Sequence, residues 1–181
     1  MDEAKLLEVP LERLSDTNGS HNGNGHYPRP LTTGARVVSE SIHLRTSGSP
    51  DFVDITDQVE DILRKAAITN GFAVVFSRHT TAAVRINENE TCLKRDMAKV
   101  LERIAPCEEY YEHNDLDIRT ENLTEDEDLN GHAHCIHMLM GASESIPVVN
   151  GRLTLGRWQR IFLIELDKAR EREVLVQVLG L

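Results

Sequence analysis

Cysteines, basic residues and long apolar runs are all scarce in this 181-residue sequence, and each shortage excludes a class of protein. The three cysteines, Cys92, Cys107 and Cys135, include no pair at C-x-x-C spacing, which argues against a disulfide framework or a cysteine zinc site. No apolar run reaches ~18 residues, so we expect no transmembrane helix and no membrane partner. A net charge of −10 argues against a general nucleic-acid-binding role, because phosphate binding needs a basic surface.

The amino-terminal residues differ in composition from the rest of the chain. They have no basic stretch followed by an apolar core, so we expect no secretory signal, and their acidic residues argue against a transit peptide. Residues 1–33 are rich in glycine, asparagine and serine and predict a flexible leader, with residues 34–181 as the folded domain. A docking peptide built on the leader's apolar residues is the alternative. We expect a cytoplasmic, reducing location.

The pattern of apolar residues predicts an α+β domain with a largely antiparallel sheet packed against a few helices. Asn150-Gly151 between two alternating runs is typical of a type I′ hairpin. The first predicted helix, 56–71, has Thr56 or Asp57 as its N-cap and Gly71 at its carboxyl end. The predicted strands cover VVSESIHL, FAVVFSR, AAVRIN, the hairpin, RIFLIELD and EVLVQVLG, and the other helices begin near 89 and 131.

Most of the acid lies in one segment. Between Glu108 and Asp128 there are ten acidic residues and a single basic one, Arg119. The segment has no periodicity and is too long for a simple turn, so it is either a functional loop or a solvated excursion.

Three histidines, His132, His134 and His137, fall within six positions after that segment. Their spacing matches a metallo-β-lactamase histidine run, but Ile136 replaces the aspartate of that run and no histidine follows His137. On a helix, the side chain at 132 points away from 134, so the three cannot bind one ion. We therefore expect His134 to belong to a site completed from elsewhere, and His132→Ala to do little.

His79, at the end of a predicted strand, and His113, in the acidic segment, are the outside candidates. Three neutral imidazoles can hold a divalent ion with one position open, and the same residues without metal can transfer protons near neutral pH. The sequence does not separate these alternatives. A zinc or magnesium ion at His79, His113 and His134 is our hypothesis from this chemistry.

Several motifs occur in order over residues 36–181. They are HTTAAVRINEN, YEHND, GHAH and MLMGASESIPVVNGRLTLGRWQRIFLIELD. Through them the sequence resembles the YjbQ family, whose members are described as secondary thiamine-phosphate synthases. Arg157 and Arg160, beside the Trp-Gln pair, depart from the family pattern; they either contact a phosphorylated ligand or balance Asp167 and Glu171.

The resemblance implies a homotrimer with a pocket near the matched histidines. It also implies a transferase that joins a pyrimidine pyrophosphate to a thiazole phosphate, with small phosphorylated substrates as its partners. Arg85, Arg157 and Arg160 are the candidates to stabilise the leaving group. We assign catalysis to His79, Glu88, His134 and Glu165, and substrate binding to Thr80, Asn87, Arg157, Trp158 and Gln159.

Two other functions remain open. The chain either is a non-enzymatic trimer that binds a metal or an anion and regulates a partner, or is a metal-dependent hydrolase of unknown substrate. Neither a glycine-rich phosphate loop nor a D-D-x-x-D cluster is present in an organised context.

Overall fold

The computed structural model describes residues 7–8 and 34–181, which form two antiparallel sheets and three α-helices. The strands are β1 (Leu7–Glu8), β2 (Arg36–Arg45), β3 (Asp51–Asp54), β4 (Asn70–Ser77), β5 (Ala82–Glu88), β6 (Ser143–Val149), β7 (Arg152–Leu153), β8 (Gln159–Glu165) and β9 (Glu171–Gly180). The helices are α1 (Thr56–Ala66), α2 (Thr91–Ile104) and α3 (Gly131–Met140), and a 3₁₀ turn spans Glu112–Asn114. The predicted α+β class is confirmed.

The larger sheet has the order β1-β2-β9-β4-β6-β7, and the smaller one has the order β3-β8-β5. Every recorded strand pair is antiparallel. The predicted leader, 1–33, lies outside the described residues except for Leu7 and Glu8, whose backbone pairs with Val37 and Arg36 of β2. None of the described helices is long and apolar enough to cross a membrane.

The smaller sheet is buried on both faces, which explains the continuous apolar run of β8. Ile161 and Leu163 point into the main core with α1 and the larger sheet, whereas Phe162 and Ile164 point into a second core under α3. Because side chains alternate along a strand, one run of apolar residues serves both layers. The second core fixes α3 and its histidines against the end of β5 and β8.

The first helix begins at Thr56, the first residue of its predicted segment, but its N-cap and its carboxyl end differ from the prediction. Asp54 Oδ1 accepts hydrogen bonds from the backbone N–H of Thr56 at 3.0 Å and from its hydroxyl at 2.7 Å, so the acidic residue before the helix holds its start. The helix ends at Ala67, which adopts a left-handed φ of 52°. Gly71 does not cap the helix and lies in β4.

Gly71 is instead required by a close approach between strands. A Cβ at this position would lie 2.0 Å from the carbonyl oxygen of Leu179 in β9. Gly71 pairs with Gly180 in that strand, so two residues without side chains face each other. The prediction assigned Gly71 to the end of a helix because it considered only neighbouring residues. The contact that requires glycine here is with β9, more than a hundred residues further along the chain.

The predicted hairpin at Asn150-Gly151 agrees with the structure. Asn150 and Gly151 both have positive φ, at 51° and 73°, which confirms the I′ hairpin. The acidic segment contains only the 3₁₀ turn, and the short strand β3 was not predicted. Cys92, Cys107 and Cys135 are all exposed and free.

We predict that Gly71→Ala destabilises the fold by at least ~2 kcal/mol, because the added methyl overlaps backbone that cannot move aside cheaply. Urea unfolding followed by circular dichroism measures the loss. Gly34→Ala is the matched control, since no atom lies within 4 Å of its added Cβ. An equal midpoint for both variants would contradict the close approach.

Candidate functional site

Two cavities adjoin at one end of the smaller sheet. The larger cavity, of about 760 Å³, is lined by Thr80, Glu112, His113, Ile118, Arg119, Glu121, Asn122, Glu127, Asn130 and His134. The smaller cavity, of about 380 Å³, shares Thr80, Asn122, Glu127, Asn130 and His134 with it and adds Arg78, His79, Thr81, Thr124, Asp126, Asp128, Arg170 and Arg172. The structure therefore brings His79, His113, His134 and Thr80 from distant parts of the chain to one continuous space.

His79 is held by the backbone of the neighbouring strand. It follows β4, and its Nε2 accepts a hydrogen bond from the N–H of Glu173 in β9 at 2.9 Å. In a neutral imidazole with an accepting Nε2, the proton sits on Nδ1. His79 therefore offers a donor to a ligand, and it has no second free lone pair.

A buried ion pair lies beneath His79. Glu165, at the end of β8, is fully buried and accepts hydrogen bonds from two guanidinium nitrogens of Arg172, one of them at 2.6 Å. The same carboxylate accepts the hydroxyl of Thr46 at 2.8 Å, and Arg172 donates to the hydroxyl of Thr81 at 3.0 Å. Arg172 lines the smaller cavity, but Glu165 lines neither cavity. Glu165 therefore positions Arg172 in this structure, and its predicted catalytic role stays a prediction.

His113 and His134 lie against each other, with ring centroids 4.6 Å apart. Their elements are joined by Asn114, whose Oδ1 accepts the N–H of Gly131 at 2.9 Å at the start of α3. A Cβ on Gly131 would lie 2.6 Å from Cβ of Tyr111, so only glycine allows this approach. The acidic segment is thereby fixed to α3 in a way that pairs the two imidazoles.

Arg119, the single base of the acidic segment, holds that segment together. Its guanidinium donates to the carbonyl oxygens of His113 and Asn122, at 3.2 and 3.1 Å. It also lies 2.6 Å from a carboxylate oxygen of Glu127, in a pair whose side chains are 13% and 14% exposed. The segment is a folded wall of both cavities, so the functional-loop alternative describes it better than a solvated excursion.

A second set of contacts ties the end of this segment to the turn before β9. Asp128 binds both Lys168 and Arg170. Asn130 donates from Nδ2 to Asp167 at 3.0 Å. Asn130 is only 8% exposed, and its Oδ1 has no hydrogen-bond partner within the described residues. The Nε of Arg170 is likewise buried and without a partner there.

The predicted three-histidine metal centre does not form from these side chains as they stand. His79 Nε2 is already hydrogen bonded, so His79 has no lone pair for an ion. Among residues 34–181, no three histidine, cysteine, aspartate or glutamate side chains lie close enough to hold one metal ion together. The zinc or magnesium ion stays a prediction.

Five of the predicted site residues lie at the far end of the smaller sheet. Glu88 pairs with Gln159, whereas Ala82, beside the cavities, pairs with Glu165. At about 3.3 Å per residue, the six steps from 82 to 88 span ~20 Å. Asn87, Glu88, Arg157, Trp158 and Gln159 line neither cavity. The structure does not bring them to the histidines within one chain.

Local contacts account for several of these residues. Asn87 donates to Sδ of Met97 at 3.3 Å, and Gln159 Oε1 accepts the N–H of Gly156 at 2.7 Å. The guanidinium of Arg157 lies 4.6 Å from the ring centroid of Trp158, which is 60% exposed. Each of these four residues therefore has a partner close by in the structure. Their predicted role in substrate binding stays a prediction.

The arginines expected to bind a phosphorylated ligand are engaged elsewhere. Arg160 pairs with Asp54 and Asp57, each at 2.7 Å, and not with Asp167 or Glu171. Arg85 pairs with Glu144 at 2.9 Å. The arginines that reach the cavities are Arg78, Arg119, Arg170 and Arg172. Of these, only Arg119 gave a signal in the sequence, as the lone base among acids.

His132 belongs to the protein core. It is 7% exposed, its ring centroid is 6.4 Å from that of Tyr111, and it borders a separate small cavity. Replacing it by alanine removes buried volume and is expected to lower stability. The expectation that this change does little to activity stays a prediction. His137 is half-buried and lines neither of the two main cavities.

Comparison with known proteins places this architecture in a family. The family model described as "UPF0047 protein YjbQ-like" matches residues 40–181. A UPF0047 protein of Methanothermobacter thermautotrophicus is 40% identical over 144 residues, which cover 80% of this chain and 93% of that protein. The UPF0047 protein YugU of Bacillus subtilis is 34% identical over 142 residues, covering 78% and 98% of the two chains.

A solved structure agrees with the fold. The crystal structure of a YbjQ-like protein of unknown function from Sulfolobus solfataricus superposes with a TM-score of 0.74 at 36% identity, covering 81% of this chain and 99% of that one. The chain belongs to the YjbQ/UPF0047 family. The function of that family is uncharacterised.

We predict that the histidines make stability depend on pH. Burial lowers the pKa of His79, helped by the charge of Arg172, and burial also lowers the pKa of His134, helped by His113. Because the folded state favours neutral rings, both contribute fully above the ordinary value of 6.5. The contribution is lost as the pH falls below 6.5 towards the folded pKa.

Urea unfolding of the wild type and of His134→Gln at several pH values tests this dependence. The wild type is expected to lose more unfolding free energy than the variant between about pH 7.5 and 5.5. A constant difference between the two proteins over that range would show that His134 titrates equally in both states.

Proposed function

We propose that the chain is a transferase of the secondary thiamine-phosphate synthase type, which joins a pyrimidine pyrophosphate to a thiazole phosphate. The observation that supports it is the continuous two-part cavity around Thr80 and His134, which gathers imidazoles, hydroxyls and arginines from separate segments. Their combined volume suits a small-molecule site. The reaction type is taken from the family resemblance. The groups proposed to bind the substrates are those that line the two cavities.

The smaller cavity is suited to the phosphate part of a substrate. Its available donors are Nδ1 of His79 and the hydroxyl of Thr80, and the guanidinium of Arg170 adds positive charge to its lining. Phosphate oxygens accept hydrogen bonds and favour such convergent donors. Two of the carboxylates at this cavity are already paired with basic side chains. Glu127 pairs with Arg119, and Asp128 pairs with Lys168 and Arg170, so both repel an anion less than unpaired carboxylates would.

The transfer step needs a stabilised leaving group. The bond from carbon to pyrophosphate breaks, its electron pair goes to the leaving oxygen, and the thiazole nitrogen forms the new bond to carbon. Arg172, held rigidly by Glu165, and Arg170 place positive charge where that oxygen develops negative charge. The Nδ1 proton of His79 can be donated to the same oxygen.

We predict that His79→Ala and His134→Ala each lower the transfer rate by about a hundredfold or more while the fold survives. His43→Ala is the matched control, because His43 is exposed and lines neither cavity. The assay follows pyrophosphate release with both substrates present. Full activity in both cavity variants would rule out the proposed site.

Substrate binding without any pyrophosphate release would favour the alternative of a non-enzymatic regulatory module. Hydrolysis of diverse phosphomonoesters, abolished by a chelator, would favour the metal-dependent hydrolase. The same preparations serve both measurements.

We also propose that the protein acts in the cytoplasm as a homotrimer. Three free, exposed cysteines suit a reducing compartment. The outer face of the larger sheet exposes Phe72 and Phe76 of β4 and Val149 of β6, between 40% and 47%. Apolar side chains clustered on one sheet face are typical of a protein interface.

Light scattering coupled to size exclusion is expected to give three times the 20.4 kDa chain mass. Phe72→Lys combined with Phe76→Lys should yield monomers, because charge on that face opposes burial. Gln58→Lys, on the exposed side of α1, should leave the trimer intact. A monomeric wild type would contradict the proposed assembly.

A further inference from the structure

A short loop between β7 and β8, residues 154–158, presents the single tryptophan of the chain to solvent. The ring of Trp158 is 60% exposed, and its centroid lies 4.6 Å from the guanidinium carbon of Arg157. Among residues 34–181, Arg157 forms no salt bridge. Tryptophan and arginine are the side chains that most often dominate the energy of protein interfaces. This aromatic loop therefore has the composition of a contact element.

The aromatic loop is held in one shape by its own hydrogen bonds. Thr154 donates from its backbone N–H to the carbonyl oxygen of Pro147 at 3.0 Å. At the other end, Gln159 Oε1 accepts the N–H of Gly156 at 2.7 Å. A preorganised loop loses little conformational freedom when a partner binds. The loop follows β7, which pairs with Val149 at the edge of the sheet face proposed as the trimer interface.

A groove of about 460 Å³ on the acidic segment offers an apolar surface of matching kind. Its lining includes Tyr110, Leu116 and Leu129, whose side chains are between 51% and 69% exposed. Apolar side chains that gather on a surface in this way are typical of a site where another protein binds. We call this surface the Tyr110 groove.

Charge selects the occupant of the Tyr110 groove. Residues 108–117 contain five acidic residues and no lysine or arginine, and three of those acids line the groove, namely Glu109, Asp115 and Asp117. Residues 152–158 contain two arginines and no acidic residue. Opposite potentials on two surfaces favour their association. The apolar stretch of the leader, residues 1–13, carries four acidic and two basic residues, so the groove disfavours it.

The aromatic loop cannot reach the Tyr110 groove of its own chain. Tyr111 and Asn114 line the groove, whereas Glu112 and His113, which lie between them in sequence, line the larger cavity. The groove therefore lies behind the wall of that cavity, at the histidine end of the smaller sheet. The loop lies at the other end, ~20 Å away along the strands. Two different patches that fit each other generate a ring of copies when the rotation between them closes.

We infer that the aromatic loop of one copy binds in the Tyr110 groove of the next copy, with Trp158 against Leu116 and Leu129 and Arg157 facing the carboxylates. This inference rests on the proposed homotrimer and adds a contact between its subunits. The contact also links assembly to the site, because the groove and the larger cavity share the turn that carries His113.

Tryptophan fluorescence of the full chain tests the contact, because Trp158 is its single source. If the partner buries the ring, acrylamide should quench the trimer at least about fivefold less than free N-acetyltryptophanamide. A ring that stays 60% exposed should be quenched within about twofold of the free compound. That second result in a trimer would overturn this contact and leave the trimer standing. A monomeric wild type would overturn both.

A pair of matched double variants tests the groove. Leu116→Ser with Leu129→Ser should expose Trp158 to acrylamide and raise the Kd of assembly by about tenfold or more, because apolar burial is lost. Leu123→Ser with Leu139→Ser removes equally exposed leucines that do not line the groove, and should change the Kd by less than about twofold. Circular dichroism checks that both variants fold.

The charge of the aromatic loop is tested in the same way. Arg157→Glu should raise the Kd of assembly by about fivefold or more, because it brings a like charge to the carboxylates. Arg103→Glu, at an exposed position of α2, makes the same change in net charge and should have less than about a twofold effect. Unchanged assembly and quenching in the groove variant and in Arg157→Glu would show that another segment covers the groove, and would overturn the inference. These measurements use no substrate, so a failure of the transfer reaction leaves them unaffected.

Discussion

The site depends on the buried pair of Glu165 and Arg172. This pair joins the end of β8 to the start of β9, and through Thr46 and Thr81 it also holds the residues that follow β2 and precede β5. Removing one partner of such a pair leaves an uncompensated buried charge, at a cost of about 3–5 kcal/mol. His79 is placed relative to this pair, because its ring accepts the backbone N–H of Glu173, the residue next to Arg172.

The second constraint is the attachment of the acidic segment to this rigid end. A run of carboxylates would repel itself if it were left in solvent. Here Arg119 neutralises one carboxylate from within, and Lys168 and Arg170 bind another from outside. The internal contacts shape the wall, and the carboxylates that remain unpaired define the charge of the larger cavity. One segment therefore builds a wall of the cavity and supplies its charged side chains.

The fold was predictable from sequence wherever the signal was local. Strand alternation, the Asn150-Gly151 turn and the three helices follow from residues a few positions apart. Gly71 was misassigned because its reason lies in β9, and β3 was too short to show a pattern. Family motifs located His79, Thr80, His113 and His134, and all four border the cavities.

The remainder of the site could not be predicted because its signals are tertiary. Arg170 and Arg172 look like ordinary charged residues until Asp128 and Glu165 are placed beside them. Asn130 has no sequence signature, and its unpartnered Oδ1 exists only in the folded chain. Glu88 and Glu165, seventy-seven positions apart in the sequence, were both predicted to be catalytic. They lie at opposite ends of the β5–β8 strand pair.

The cluster of three histidines at 132–137 shows how the fold divides residues of one type. The helix turns His132 inward, where Tyr111 and the second core surround it, and turns His134 towards His113 in the larger cavity. A ring in the core is fixed by packing and contributes to stability, whereas a half-buried ring against a second imidazole has a lowered pKa and stays neutral near pH 7. His134 therefore adds no positive charge to the larger cavity near pH 7. The fold therefore assigns one histidine of this cluster to the stability of the core and another to the lining of the cavity.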